Sequence, residues 1–284
     1  MPKIAIVDKI HSDGIKLLEE NPKFQYEIIE DLSKKNLISK LSSFDGITLR
    51  RGKIDAEILE KCKNLKVISR HGVGYDNVDT KFLKKNNITL LVTATTTSVS
   101  PAEHIMFMIL NISKGIDLYD KAVRSGKFDS IMHMKNNNNF ELANKKILIV
   151  GFGRIGKKLI KRCIGFEMKV YVYDPFVDQK TIESFGGIKV NDLNVGLKEA
   201  DILSLSVPLT EKTRNMINLE KIKMMKKSAI IINTSRGSVV NEKDLNEAII
   251  EGIIYGAGLD VFEKEPPDND NPLLTNKRAI LSPH

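Results

Sequence analysis

The sequence predicts an α/β protein of two domains, each a doubly wound parallel sheet flanked by helices. Three observations carry this expectation. Short apolar runs rich in Val and Ile alternate with amphipathic stretches along the chain, the pattern of β-α-β units. The alternation is interrupted once, near the middle, and then resumes. Finally, 284 residues with 42% hydrophobic and 28% charged side chains hold enough apolar material for two ordinary cores.

The first domain is expected over residues 1–97. Its strands fall at Ile4–Asp8, Tyr26–Ile29, Gly46–Leu49, Val67–Ser69 and Ile88–Val92, separated by amphipathic stretches such as Ile15–Glu20 and Ala56–Lys61. The interruption begins with a helix-start signature, Ser100-Pro101-Ala102-Glu103: Ser100 as N-cap, Pro101 at the first helical position and Glu103 reaching back as a capping box. The helix continues through HIMFMILNI, too continuously apolar for a solvent-facing helix, which places it at a domain junction or a subunit interface. Asn136 to Asn139 reads as a polar loop without chemistry. The second domain, residues 98–284, starts its sheet at Lys146 and continues through Lys169–Tyr173, Ile202–Ser206, Ala229–Asn233, Gly256–Asp260 and Ala279–Leu281.

The formal net charge of +8 raises the question of nucleic acid. The lysines argue against it, coming as scattered pairs (Lys34-Lys35, Lys84-Lys85, Lys145-Lys146, Lys157-Lys158, Lys226-Lys227) without interleaved aromatics, in a chain that has no Trp. A positive field also attracts small anions. The start MPKIAIVDKI carries no signal-peptide pattern and nowhere do about 18 apolar residues run together, so no membrane partner and a cytoplasmic location are expected. Cys62 and Cys163 lack CxxC or CxxH spacing and are expected to be reduced structural thiols, with no metal site.

Two constellations carry chemistry. Gly151-Phe-Gly153-Arg154-Ile155-Gly156 directly follows the strand KKILIV and opens the helix KKLIKRCIG, a context that suits a dinucleotide pyrophosphate. The next strand ends in Asp174, 18 residues beyond Gly156, where an acidic residue binds the ribose diol. A carboxylate there repels a 2′-phosphate, so NAD rather than NADP is expected; a strand-end turn with Pro175 is the plainer role. Farther on, Arg236 in NTSRG, Glu265 in VFEKEPP and His284 in LSPH bring together residue types that hold, tune and protonate a small acid. Together they point to a nicotinamide-dependent dehydrogenase.

The segments TLRRGKID, SRHGVGYDNVD, SPAEH, VRSGKF, GFGRIG, YDP, VPLTEKTRNMIN, NTSRGSVVNE, GAGLDVFEKEPP and LSPH occur in an order that resembles the D-isomer-specific 2-hydroxyacid dehydrogenases, phosphoglycerate dehydrogenases in particular. The resemblance implies a flavodoxin-like substrate domain, a Rossmann NAD-binding domain and a homodimer formed through the latter. It makes His284 the acid/base on the substrate C2 oxygen, pairs Glu265 with its ring, and gives Arg236 the substrate carboxylate. Asp260 would approach the nicotinamide carboxamide, and Pro208, Thr213, Asn233 and Thr234 would line the cofactor groove, with a loop-capping role open for Asp260. In the first domain, the amides of Arg70-His71-Gly72-Val73-Gly74 would receive the carboxylate, while Arg50 and Arg70 would meet anionic substrate groups. Surface ion pairing is the alternative for both arginines.

Two departures qualify the resemblance. Thr97 stands where phosphoglycerate dehydrogenases carry an asparagine near the substrate; its hydroxyl substitutes as a donor, but glyoxylate and hydroxypyruvate then compete with 3-phosphoglycerate and serine biosynthesis as the reading. Relatives also continue past the catalytic histidine with a loop and a returning helix, so the chain reads as a shortened member, expected to expose apolar surface on its first domain and to turn over slowly. A rival of another class is an NAD-sensing, non-catalytic interaction module, which predicts NAD binding without turnover.

Overall fold

The computed structural model describes residues 1–93, 98–134 and 139–284. The chain divides into two compact units, Met1–Thr97 and Ser98–His284.

In the first unit, five strands, β1 (Lys3–Val7), β2 (Gln25–Ile29), β3 (Gly46–Leu49), β4 (Val67–Arg70) and β5 (Thr89–Val92), alternate with α1 (Ser12–Glu19), α2 (Lys34–Leu41), α3 (Ala56–Lys61) and α4 (Thr80–Lys85). All pairings are parallel and the order is β2-β1-β3-β4-β5, a flavodoxin-like doubly wound sheet. Leu37, Leu41, Ile47, Leu49, Ile58 and Ile68 are among the side chains that fill its core. Three helices start on an Asx-type or histidine cap: His11, Asp55 and Asp79 each accept a backbone N–H of the first turn. The expected strands recur within a residue or two. Asp8 lies just past β1 because its backbone turns to φ +68°, and Ile88 lies before β5 because its N–H closes on Leu83 at the end of α4.

The second unit opens with α5 (Val99–Lys114), followed by α6 (Ile116–Arg124) and α7 (Phe128–Met132). The N-cap of α5 is Ser98 rather than Ser100, and it makes no side-chain cap bond. Proline's missing N–H is harmless anywhere in a first turn, so Pro101 did not discriminate between the two starts. Glu103 does not fold back as a capping box; its carboxylate pairs with Arg162 at 2.7 Å.

The sheet follows as β6 (Lys146–Val150), α8 (Arg154–Gly165), β7 (Lys169–Tyr173), α9 (Gln179–Ser184), β8 (Ile188–Lys189), α10 (Leu193–Glu199), β9 (Ile202–Leu205), α11 (Leu219–Lys223), β10 (Ile230–Asn233), α12 (Glu242–Ile250), β11 (Gly256–Leu259) and β12 (Ala279–Leu281). Its order is β12-β11-β10-β9-β6-β7-β8, parallel throughout, the Rossmann arrangement with one added edge strand, β12. Alternation along β6 sends Leu148 and Val150 to one core and Ile147 and Ile149 to the other. The second core is roofed by Ala102, Ile105, Met108 and Ile109 of α5, so much of the apolar run HIMFMILNI is explained by burial within its own unit. The direction of the chain reverses between β6 and β9, and their carboxyl ends flank the switch point where open α/β sheets bind ligands.

Candidate active site

The glycine loop leaves β6 at this switch point. Gly151 has φ +96°, and a Cβ on it would lie 2.4 Å from the Ser206 carbonyl oxygen; a Cβ on Gly156 would lie 2.5 Å from the Gly151 oxygen. Both glycines are therefore required by the turn itself. Gly153 differs, since a Cβ there meets no protein atom within 4 Å. Its bare backbone answers no internal need and suits close approach by a ligand. Arg154 and Ile155 begin α8, whose first-turn N–H groups and dipole favour a phosphate. At the end of β7, the Asp174 carboxylate accepts from the N–H of Phe152 in the loop and of Phe176, each at 2.8 Å. It thus clips the glycine loop to the neighbouring strand and keeps negative charge beside it.

Other residues assigned to the groove lie past β9 and β10. Thr213 donates to the Pro208 carbonyl at 2.6 Å and accepts from the Thr210 N–H at 2.8 Å, closing a tight turn. Asn233 is buried, and its amide organises the turn bearing Arg236: Oδ1 accepts from the Ser235 N–H and hydroxyl at 3.1 and 2.8 Å, and Nδ2 donates to the Arg236 carbonyl at 2.9 Å. Among the described residues, the Ser206 and Thr234 hydroxyls are buried at the ends of β9 and β10 with no hydrogen-bond partner. Orphaned hydroxyls at a switch point fit a polar ligand, and with the bare Gly153 they make the residues present compatible with a dinucleotide.

Arg236, Glu265 and His284 all belong to this unit. Arg236 precedes a 3-10 turn, Gly237–Val239, and donates to the Ser235 carbonyl at 2.7 Å. Gly237 packs directly on the backbone of Phe262 and Glu263. This contact seats the arginine turn on the loop carrying Glu265. Glu265 accepts from the Phe262 N–H through Oε1 at 3.1 Å and pairs through Oε2 with His284 Nδ1 at 2.8 Å. Both side chains are partly open to solvent, 39% for Glu265 and 45% for His284.

The electrostatics follow from these contacts. The hydrogen bond that His284 donates to Glu265 raises the His284 pKa, against burial and the Arg236 charge, and the Glu265 and Asp260 charges assist. For Glu265, burial alone pushes upward, but the His284 and Phe262 hydrogen bonds with the His284 and Arg236 charges hold the carboxyl below its usual value. Arg236 is therefore close enough to be felt by both. With Nδ1 committed to Glu265, Nε2 is the nitrogen left to exchange a proton. Asp260 accepts from the Ser282 hydroxyl at 2.6 Å, two residues before His284.

The substrate-side candidates lie on the first unit, at the carboxyl edge of its sheet. Arg50 donates to the Lys9 carbonyl at 3.1 Å and stands 3.7 Å from Asp8. Arg70 donates to the Leu49 carbonyl at 3.3 Å and also to that of His71. The Gly72 N–H meets the Thr93 hydroxyl at 2.7 Å, with φ +144° at the glycine, and Val73 and Gly74 continue the loop. Thr97 lies outside the described residues. Sequence reasoning missed Asp8 and Arg51, which form a bidentate pair at 2.6 and 3.2 Å beside Arg50. Asp8 was legible as the residue leaving the first strand on the ligand edge. It also missed His104 and Ser282, although both sit in motifs singled out above.

Residues 106–284 match the sequence model of the family described as "D-isomer specific 2-hydroxyacid dehydrogenase, NAD binding domain". Over the whole chain, the protein is 40% identical to a D-3-phosphoglycerate dehydrogenase of Methanocaldococcus jannaschii, covering 53% of that protein. It is 36% identical to a glyoxylate reductase of Pyrococcus furiosus, over 100% of this chain and 85% of that one. Among solved structures, D-lactate dehydrogenase from Aquifex aeolicus, crystallised with NAD and lactic acid, superimposes with a TM-score of 0.87 at 28% identity, over 99% of this chain and 88% of that one. The chain thus spans about half the length of the phosphoglycerate dehydrogenases it matches and most of the glyoxylate reductase. With the NAD-binding model matched over residues 106–284 and the glyoxylate reductase matched over the whole chain, the chain belongs to the D-isomer-specific 2-hydroxyacid dehydrogenases.

Proposed function

We propose that this protein is an NAD-dependent oxidoreductase acting on a small anionic D-2-hydroxyacid and its 2-oxoacid. The observation that carries the reading is the His284–Glu265 pair, 2.8 Å apart and within the field of Arg236. When bound, NAD(H) accepts or supplies the hydride at substrate C2. In the reductive direction His284 gives its Nε2 proton to the C2 oxygen, and in the oxidative direction the neutral ring takes it back. Glu265 fixes the tautomer and stabilises the imidazolium, while the planar guanidinium of Arg236 holds the carboxylate. Gly151, Gly153, Arg154, Ile155 and Gly156 would seat the pyrophosphate and Asp174 the ribose diol. Pro208, Thr213, Thr234 and Asp260 would line the remaining groove. The second unit is accordingly assigned the cofactor, and the first, through Arg50, Arg70 and the Gly72–Gly74 loop, the substrate.

Within this class we favour a D-3-phosphoglycerate dehydrogenase-like activity, in serine biosynthesis. Three guanidinium groups, those of Arg50, Arg51 and Arg70, gather at one sheet edge of the first unit, which suits a substrate bearing a phosphate as well as a carboxylate. Glyoxylate or hydroxypyruvate reduction is the second reading, favoured by the Asp8 carboxylate that occupies Arg51. A screen of NADH oxidation against 3-phosphohydroxypyruvate, hydroxypyruvate, glyoxylate and 2-oxoglutarate separates them by kcat/KM. NADH binding with no turnover of any of these would overturn the reading in favour of a non-catalytic NAD-sensing module.

A homodimer through the second unit is supported by a largely apolar groove between α5 and α8, lined by Met106, Phe107, Leu110, Ile116 and Phe166, with Phe107 52% exposed. Sedimentation equilibrium tests it. A cytoplasmic location is supported by two buried free thiols, which burial pushes up to about 11 at Cys62 and about 12 at Cys163.

A further inference from the structure

Three polar side chains outside the Arg236–Glu265–His284 set, His104, Ser282 and Asp260, are joined by hydrogen bonds on the backbone two residues before His284. The Ser282 hydroxyl donates to Asp260 Oδ1 at 2.6 Å, and His104 Nε2 lies 2.8 Å from the same hydroxyl and 3.4 Å from the same carboxylate oxygen. A hydroxyl has one proton, and here it goes to the carboxylate, so His104 must be the donor to Ser282 and carry its proton on Nε2. His104 is itself fixed: it sits in the first turns of α5, only 31% exposed, and stacks on Phe107 with ring centroids 5.6 Å apart. The Ser282 N–H extends the β11–β12 ladder by bonding the Leu259 carbonyl at 2.9 Å. Only Pro283, with its restricted φ, separates this anchored serine from His284.

We propose that His104 is a positioning residue for the reaction: through Ser282, which it shares with Asp260, it fixes the backbone from which His284 projects. The inference rests on the reading of His284 as the proton carrier. A histidine on an apolar helix face is ordinarily a satisfied core residue. This one instead turns its Nε2 donor to Ser282, two residues before the proposed proton carrier. Without it, Ser282 loses one of two side-chain partners and the Ser282–Pro283–His284 segment gains freedom that the ladder alone does not remove.

The test compares His104→Phe, which keeps the stack on Phe107 but has no donor, with His104→Gln, whose amide nitrogen reaches the place of Nε2. Ser282→Ala and the double variant His104→Phe/Ser282→Ala complete a cycle. Each donor-removing single change should lower kcat about tenfold while the KM for the 2-oxoacid and the affinity for NADH stay within about twofold. The double variant should be no worse than the weaker single one, because both break one linkage, and His104→Gln should recover most of the loss. Additive losses, an unchanged kcat in His104→Phe, or a glutamine variant no better than phenylalanine would overturn the proposal. Nitrogen-15 spectra of the imidazole give an answer that does not depend on turnover. His104 should be the Nε2–H tautomer in the parent, with that proton slow to exchange, and Ser282→Ala should release it. An Nδ1–H tautomer in the parent would overturn the linkage, whereas absence of 2-oxoacid turnover in the parent with the Nε2–H signature intact would overturn the functional reading alone.

Discussion

Gly237 offers a steric test of how the candidate site is assembled. Its φ is outside the left-handed region, so alanine is allowed by the backbone and only space opposes it. The added Cβ would lie 1.9 Å from the carbonyl carbon of Phe262, 2.1 Å from its oxygen and 2.2 Å from the Glu263 nitrogen. Ordinary carbon contacts need about 3.5 Å, so the arginine turn and the loop must part by roughly 1.5 Å. Neither side yields easily. Asn233 holds the turn with three hydrogen bonds, and the loop is tied by the reciprocal bonds between the backbone and carboxylates of Glu242 and Glu263. Overpacking of this kind costs on the order of 1–3 kcal/mol, a lowered melting temperature rather than loss of the fold. The functional cost matches the upper end of that range, because a shift of about 1 Å between reacting groups lowers rate on the order of a hundredfold, about 2.7 kcal/mol. Gly237→Ala is expected to lose about that factor in kcat, by NADH absorbance, while calorimetry finds NADH affinity within about threefold of the parent. A folded variant with kcat within about threefold of the parent would refute the idea that this contact registers Arg236 against Glu265 and His284.

The glycine loop predicts opposite outcomes for two neighbours: Gly153→Ala should leave the melting temperature unchanged but weaken NADH binding on the order of tenfold, whereas Gly156→Ala, meeting the Gly151 oxygen at 2.5 Å, should lower the melting temperature. A Gly153→Ala protein that binds NADH normally would remove that residue from the cofactor's path. Because Glu265 raises the His284 pKa, the protonated ring needed for reduction persists to higher pH in the parent; in Glu265→Gln the alkaline limb of reduction and the acid limb of oxidation should both move to lower pH. His284→Ala should lower kcat on the order of a hundredfold or more with NADH affinity retained, and normal turnover would sink the acid/base assignment. With Asp174 beside the loop, NAD(H) should bind at least about tenfold better than NADP(H), roughly 1.4 kcal/mol, a gap that Asp174→Asn should narrow; equal calorimetric affinities in the parent would contradict it.

The strands were readable in the sequence for local reasons, and the Glu265–His284 pairing followed from the motifs that carry the two residues. Gly46–Leu49, Lys169–Tyr173 and Ala279–Leu281 coincide with the expected spans because each is a short apolar run set off by polar or turn-forming residues. β8 was not, since two residues, Ile188 and Lys189, are too few to show a period; it forms by pairing with Tyr171 and Val172 of β7. Ser100 was read as the cap because the capping-box spacing ignores where a carboxylate finds a stronger partner, and Arg162, 59 residues away, took Glu103. The Asp8–Arg51 and His104–Ser282–Asp260 pairings were likewise invisible, because each joins residues far apart in sequence that only the packing of each unit brings into contact.

Asp174 and Asn233 show why a motif residue cannot be sorted into ligand or scaffold by type alone. Both end a strand at the ligand edge of the same sheet, and both make backbone hydrogen bonds within the protein. An ionised carboxylate has about four acceptor positions, and Asp174 has given up one on each oxygen, to Phe152 and Phe176. It retains acceptor capacity and its charge, so holding the loop and receiving a ribose diol are compatible. Asn233 has already filled both acceptor positions of its one oxygen with Ser235 and spent one of its two N–H groups on Arg236. It is also buried, with 1% of its surface exposed. The capacity left over therefore separates the two within the proposed site: Asp174 would receive the ribose diol while bracing the loop, whereas Asn233 has one N–H left for a cofactor and would act chiefly through the turn it holds, by setting where Arg236 stands.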